Sequence, residues 1–178
     1  MSDDGADAEP VARPLVAAGV LFFDAAGRVL LVEPTYKDGW EIPGGFVRIG
    51  ETPSEGAARE VEEELGIRPG VGPLLVADWA PSPGEGDKLL FVFDGGRLTR
   101  ADEDAARPDG VEISAWAYHD RERLESLLPP RLARRVHAAL DRRGQGAGGS
   151  YLEHGTPWSG DSSDSSDSGD GGGSGAAR

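Results

Sequence analysis

Apolar runs broken by turn-forming clusters predict a chain of strands mixed with a few helices. Leu15 to Phe23 is apolar enough for a buried strand, and Asp24-Ala-Ala-Gly27 suits the turn after it. Arg28 to Glu33 predicts a second strand, returning as a hairpin. A loop with Pro34, Tyr36, Lys37 and Asp38 follows. Trp40 to Ile42 reads as a short strand that stops at Pro43-Gly-Gly45. Leu74 to Ala80 and Lys88 to Phe93 read as strands around the Pro- and Gly-rich 81–86, and Asp94-Gly-Gly96 as a turn. Residues 99–110 are polar and read as loop. Val111 to Tyr118 is a further strand. Asp120 is placed to cap a short helix to Leu128, which Pro129-Pro130 ends. Leu132, Val136, Ala139 and Leu140 keep helical spacing in a last helix. Elements in this order predict an α/β or α+β class.

The remaining helix, 53–65, carries charge in an unusual place. Thr52 and Glu55 make a capping box, Pro53 falls at the first helical position, and Gly66 suits a left-handed cap. At about 100° per residue, Ala57, Ala58, Val61, Leu65 and Ser54 share a core-facing arc. Glu60, Glu63 and Glu64 share another arc, with Gly56 between them, and Glu62 points to solvent. Like charges three and four residues apart repel on a bare helix. One reading is a solvated acidic face. The other is a site for a hard divalent cation, which takes carboxylate oxygens, waters and phosphates, with Gly56 letting the cation or phosphate approach. Spacing alone leaves both open.

The domain is expected at 13–143. Residues 1–12 read as a disordered acidic leader, and 144–178 as a Gly-, Ser- and Asp-rich linker and flexible tail. Within that tail Tyr151, Leu152 and Trp158 are unusual, which leaves docking onto the domain open. The chain has 178 residues, a formal charge of −14 and no Cys. Zinc–thiolate sites, disulfides and Cys nucleophiles are thereby excluded. The acidity argues against a nucleic-acid partner, and an anionic substrate would need an intervening cation. No export signal or membrane span is visible, so the cytoplasm is the expected compartment.

Residues 45–67 read GFVRIGETPSEGAAREVEEELGI. Gly45, Glu51, Arg59, Glu60, Val61, Glu63, Glu64, Gly66 and Ile67 match a fixed pattern without departure. This segment resembles the Nudix box of the Nudix hydrolase family, and Trp40-Glu-Ile-Pro-Gly-Gly45 before it is also usual there. The resemblance implies the Nudix fold, a mixed β-sheet sandwiched between α-helices. It implies hydrolysis of a nucleoside diphosphate linked to another moiety, with Mg²⁺ or, in its place, Mn²⁺. Carried over, Glu60, Glu63 and Glu64 are metal ligands, and the Gly45 carbonyl is a further one. Glu51 and Arg59 are a pair that fixes loop against helix. Arg59 is expected to turn away from Glu60 and Glu64.

The base that activates water is expected to be one of the box glutamates or, outside the box, Glu85, Glu103 or Glu112. Tyr36, Phe46 and Trp79 are candidates to stack on a nucleobase, and Lys37, Arg48 and Lys88 to hold phosphates. Trp40 and Trp116 are expected in the core. His119, His137 and His154 follow no metal spacing and are expected to be satisfied surface or packing residues. Pro83, 16 residues past Ile67, matches a spacing associated in the family with ADP-ribose hydrolysis. An oxidised nucleoside triphosphate is the other substrate class considered. The alternative to an enzyme is a nucleotide-sensing module of the same fold, which would usually have lost box glutamates. A homodimer is compatible with the resemblance.

Overall fold

A computed structural model describes residues 11–84, 86–146 and 148–159. Eight strands among these residues form one mixed sheet: β1 (Leu15–Phe23), β2 (Val29–Pro34), β3 (Gly44–Phe46), β4 (Leu74–Trp79), β5 (Lys88–Arg97), β6 (Ile113–His119), β7 (Ser150–Glu153) and β8 (Thr156–Pro157). The spatial order is β6-β2-β1-β5-β4-β7-β8, with β3 also pairing β1. The β1–β5 and β4–β7 pairs are parallel and the others antiparallel. Helices α1 (Pro53–Leu65), α2 (Arg100–Ala105), α3 (Leu124–Leu127) and α4 (Pro130–Gln145) complete the chain.

Successive strand residues point to opposite faces, and β1 and β2 are apolar on both. Val20, Phe22, Leu30 and Val32 join Val61 and Leu65 of α1 in one core. Leu21, Phe23, Val29 and Leu31 join Leu124, Val136 and Ala139 of α3 and α4 in the other. The central strands are therefore covered by helices on both sides. Trp40 packs against the second core and Trp116 against the first, both half-buried.

Several elements differ from the sequence reading. The strand expected at 40–42 lies at Gly44–Phe46; Glu41 makes only an isolated bridge with Val32. Asp94-Gly-Gly96 is not a turn but part of β5, which runs beside β1 to Arg97. A Cβ on Gly95 would stand 2.2 Å from the Phe22 ring, so that glycine makes room for a core aromatic. The polar stretch 99–110 contains α2, started by a Thr99–Asp102 capping box. Val111 and Glu112 precede β6 and are exposed. The short helix after Asp120 is a 3₁₀ turn, Arg121–Arg123, followed by α3, and the Asp120 side chain makes no capping bond.

The sheet also continues beyond the boundary expected at 143. Strand β7 lies parallel to β4, and Leu152 is fully buried. The β7–β8 hairpin is fastened to α4 and β4 by a buried ion pair. Arg135 Nε and Nη2 donate to Asp78 Oδ2 at 2.9 and 2.6 Å, and the Gly155 N–H donates to Asp78 Oδ1 at 3.0 Å. Arg134 Nη2 donates to the His154 carbonyl at 3.0 Å, and His154 itself has a positive φ of 54°. The expected leader through residue 10 and the tail from 160 lie outside the described residues.

Asp78 is fully buried, so removing its partner strands a charge. Arg135→Ala is expected to cost about 3–5 kcal/mol in urea unfolding. A loss below about 1 kcal/mol, the size of a surface pair, would show that the pair does not hold the hairpin.

Candidate active site

The capping box starts α1 as its sequence predicts: Thr52 Oγ1 accepts from the Glu55 N–H, and Glu55 Oε2 accepts from the Thr52 N–H at 2.8 Å. Gly66 ends the helix in the left-handed conformation. Ala57, Val61 and Leu65 are buried as expected, whereas Ser54 is exposed and Ala58 only half-buried. Gly56 does not open the helix to a ligand. It is buried, and a Cβ there would meet Val47 Cγ2 at 3.2 Å and Glu51 Oε2 at 3.3 Å. Its lack of a side chain lets the preceding loop lie on the helix.

Arg59 ties that loop down. Its Nε donates to Glu51 Oε1 at 2.7 Å, and Nη2 donates to Glu51 Oε2 at 3.1 Å and to the Phe46 carbonyl at 2.9 Å. The hydrogen bonds from Arg59, with one from the Arg48 N–H, hold the Glu51 carboxyl at about 2. Arg59 does not turn away from Glu60, as expected from helix geometry. Nη1 donates to Glu60 Oε1 and to Glu63 Oε2, both at 2.8 Å. The side chain is long enough to cross the angle between neighbouring helix positions, and its Glu51 anchor directs the fork there. Arg48 Nη2 donates to the same Glu63 oxygen at 3.1 Å.

Glu64 stands in a different setting, only 6% exposed. Its Oε2 accepts from the Gly44 N–H at 3.1 Å. Burial pushes its carboxyl up to about 8, against the pull of that hydrogen bond and with help from the negative charges of Glu60, Glu112 and Glu41. The strand pairing makes this spot. The first half of β1 pairs with β3, Ala18 opposite Gly45 and Gly19 opposite Gly44, while its last residue, Phe23, pairs with Val29 of β2. Gly44 has a φ of 146°, and a Cβ on it would strike the Ala18 carbonyl at 2.3 Å. A Cβ on Gly45 would lie 2.6 Å from the Glu60 carboxyl carbon, so Glu60 rests directly on the Gly45 backbone.

The other candidates separate. Glu112 is exposed, and its charge acts on Glu64. Glu103 accepts from the Tyr118 hydroxyl at 2.9 Å. Glu85 lies outside the described residues. Tyr36 is exposed and lines an open cleft of about 690 Å³ with Glu33, Pro34, Lys37, Asp38 and Ser114. That volume suits a small molecule. Burial and then the neighbouring Glu41 charge raise the Tyr36 hydroxyl. Phe46 is exposed, and Lys88 Nζ lies 6.0 Å from its ring centroid. Trp79 ends β4, separated from β1 by β5. Sequence reasoning missed Glu41. Its carboxylate accepts from Lys37 Nζ at 2.6 Å and the Tyr36 hydroxyl at 3.4 Å, and its charge acts on Glu64. The signal available was its place in the Trp40–Gly45 run. His119 and His137 were expected to be satisfied, but their Nε2 atoms are buried without hydrogen-bond partners; His154 Nδ1 lies 3.2 Å from Arg131 Nη2.

The family model of the NUDIX domain matches residues 13–141. This chain belongs to the Nudix family. It is 37% identical over 111 residues to an ADP-ribose pyrophosphatase of Methanocaldococcus jannaschii, covering 57% of this chain and 64% of that protein. It is 40% identical over 68 residues to a MutT-like protein of Streptomyces ambofaciens, covering 38% and 44%. The chain thus spans less than two thirds of either relative. A solved NUDIX hydrolase from Nitrosomonas europaea superposes with a TM-score of 0.64 at 20% identity, over 81% of this chain and 80% of that one, a likeness of fold.

Among the described residues of this Nudix chain, no three acidic or imidazole side chains stand together as a ready metal cage. The two arginines hold Glu63, and Arg59 also holds Glu60. The donor set nevertheless fits a hard divalent cation. It offers only oxygen, and its buried member, Glu64, faces other carboxylates whose repulsion a cation would relieve.

The weakened acidity of the buried Glu64 carboxyl has a thermodynamic sign. The folded carboxyl keeps its proton to about 8, while the unfolded one releases it near 4.5. Stability present below the lower value is therefore lost as pH rises through the upper one. In metal-free buffer, Glu64→Gln is expected to melt about 5 °C or more above the parent at pH 8.5. The gap should close near pH 4. A pH-independent difference in melting temperature would contradict the assignment.

Proposed function

We propose that this protein is a divalent-metal-dependent pyrophosphohydrolase of nucleoside diphosphates linked to another moiety. The observation that carries this reading is the buried Glu64 carboxylate, bonded to the Gly44 N–H and set among the like charges of Glu60, Glu41 and Glu112. Ionising a buried carboxyl of this kind costs stability unless the charge is compensated, and a cation bound with pyrophosphate would compensate it. Glu60, Glu63 and Glu64 would hold Mg²⁺, or Mn²⁺ in its place, with the Gly45 carbonyl as a further ligand. When bound, such an ion polarises a phosphoryl oxygen, offsets developing charge and acidifies water.

The chain's own residues do the rest. Glu51 and Arg59 keep loop 46–51 on the helix, which fixes Gly45 against Glu60. Of the bases considered outside the box, Glu112 is favoured for accepting the water's proton, because its charge reaches Glu64. Glu103 is already bonded to Tyr118. The exposed Tyr36 face, in its open cleft, would stack on the nucleobase. ADP-ribose is the substrate to try first, given the activity named for the archaeal relative and the position of Pro83. The lack of Cys suits the reducing cytoplasm.

The test is a panel of ADP-ribose, other nucleotide sugars and nucleoside triphosphates with Mg²⁺ or Mn²⁺, reading phosphate-monoester products. Turnover is expected to stop with chelator. Glu60→Gln and Glu64→Gln should each lower kcat by about 10²–10⁴-fold with an unchanged circular dichroism spectrum. Undiminished activity in both variants would sink the proposal.

A further inference from the structure

We propose that Arg48 competes with the divalent cation for Glu63 and, once displaced, takes a phosphate oxygen of the substrate. The inference rests on the metal-dependent reading above and adds an exchange that the box pattern does not contain, since Arg48 occupies one of its variable positions.

Glu63 Oε2 is shared by two guanidinium groups, Arg59 Nη1 at 2.8 Å and Arg48 Nη2 at 3.1 Å. The two are not equivalent. Arg59 has only 16% of its side chain exposed and is pinned by Glu51, Glu60 and the Phe46 carbonyl. It has no freedom to leave. The Arg48 side chain is 60% exposed, and Glu63 is the acceptor of its guanidinium. Its backbone is nonetheless fixed, because the Arg48 N–H donates to Glu51 Oε2 at 2.8 Å. Arg48 is therefore a free arm on a fixed pivot, at the mouth of the acidic site.

An exposed ion pair of this kind contributes little. A divalent ion competing for the same oxygen displaces the guanidinium at small cost. Glu63 is itself 45% exposed and able to turn. The exchange leaves the Arg48 fork without its carboxylate, beside the glutamates that would hold the cation. A planar guanidinium there matches the oxygens of a phosphate group. Arg48 thus disfavours the cation when substrate is absent and favours substrate when the cation is present. The acidic site need not stay uncompensated between turnovers.

The experiment measures Mn²⁺ binding to the full chain by the paramagnetic resonance signal of free Mn²⁺, and then pyrophosphate binding to the Mn²⁺-loaded protein by calorimetry. Arg48→Ala is compared with Arg68→Ala, which removes the same charge from an ion pair with Glu62 of the same helix. Arg48→Ala is expected to tighten Mn²⁺ binding about two- to fivefold and to weaken pyrophosphate binding about tenfold. Arg68→Ala should do neither. The gain in Mn²⁺ affinity should shrink at 1 M salt, where the screening length is about 3 Å. Equal Mn²⁺ affinities in Arg48→Ala and the parent, or an equal gain in both variants, would overturn the exchange alone. A parent chain that binds no Mn²⁺ would overturn it together with the pyrophosphohydrolase reading.

Discussion

The arrangement around α1 depends on the guanidinium of Arg59. It bonds at once to a loop carboxylate, a loop carbonyl and two helix carboxylates. Those groups come from both sides of the helix N-cap, so one side chain fixes the path of loop 46–51 over α1. Gly56 makes the close approach sterically allowed, and Arg59 makes it electrostatically favourable. The like-charge repulsion along the helix is answered by the same group. Glu60 and Glu63 thus have a partner within the fold, and only Glu64 lacks a cationic one.

That difference gives the site its asymmetry. Glu64 sits beside the Gly44 backbone, where β1 changes partner from β3 to β2. The fold buries it and gives it one N–H donor. A fold selected for stability alone would not place a carboxylate there, because burial raises the cost of its charge. Local cost of this kind concentrates at functional sites. The rest of the molecule tolerates it because the central strands are packed on both faces. The C-terminal hairpin, locked by Asp78 and Arg135, covers what would otherwise be the open edge of β4.

Much of this was legible in the chain. The strand 15–23 and the helix 53–65, with both its caps, follow from local chemistry: an unbroken apolar run, and a Thr-Pro-x-Glu start with a Gly stop. The grouping of Glu60, Glu63 and Glu64 follows from helical periodicity. Gly95 and Glu41 were misread or missed because their roles depend on distant partners, and Thr99 because its capping box departs from the commoner pattern. Gly95 serves Phe22, 73 positions away, rather than a turn. Thr99 starts a helix with an Asp instead of the commoner Glu at the third position.

The sequence by itself determined the local elements and the fixed spacing of the acidic helix, because caps, periodicity and turn chemistry act over a few residues. Only the tertiary structure decided which glutamate is buried, that Arg59 reaches Glu60, that the residues after 149 complete the sheet, and that Glu41 and Glu112 face Glu64. Each of those depends on which loop or strand the tertiary fold sets beside the residue. Burial and charge interact through space, so their effect is set by neighbours that the order of residues does not name.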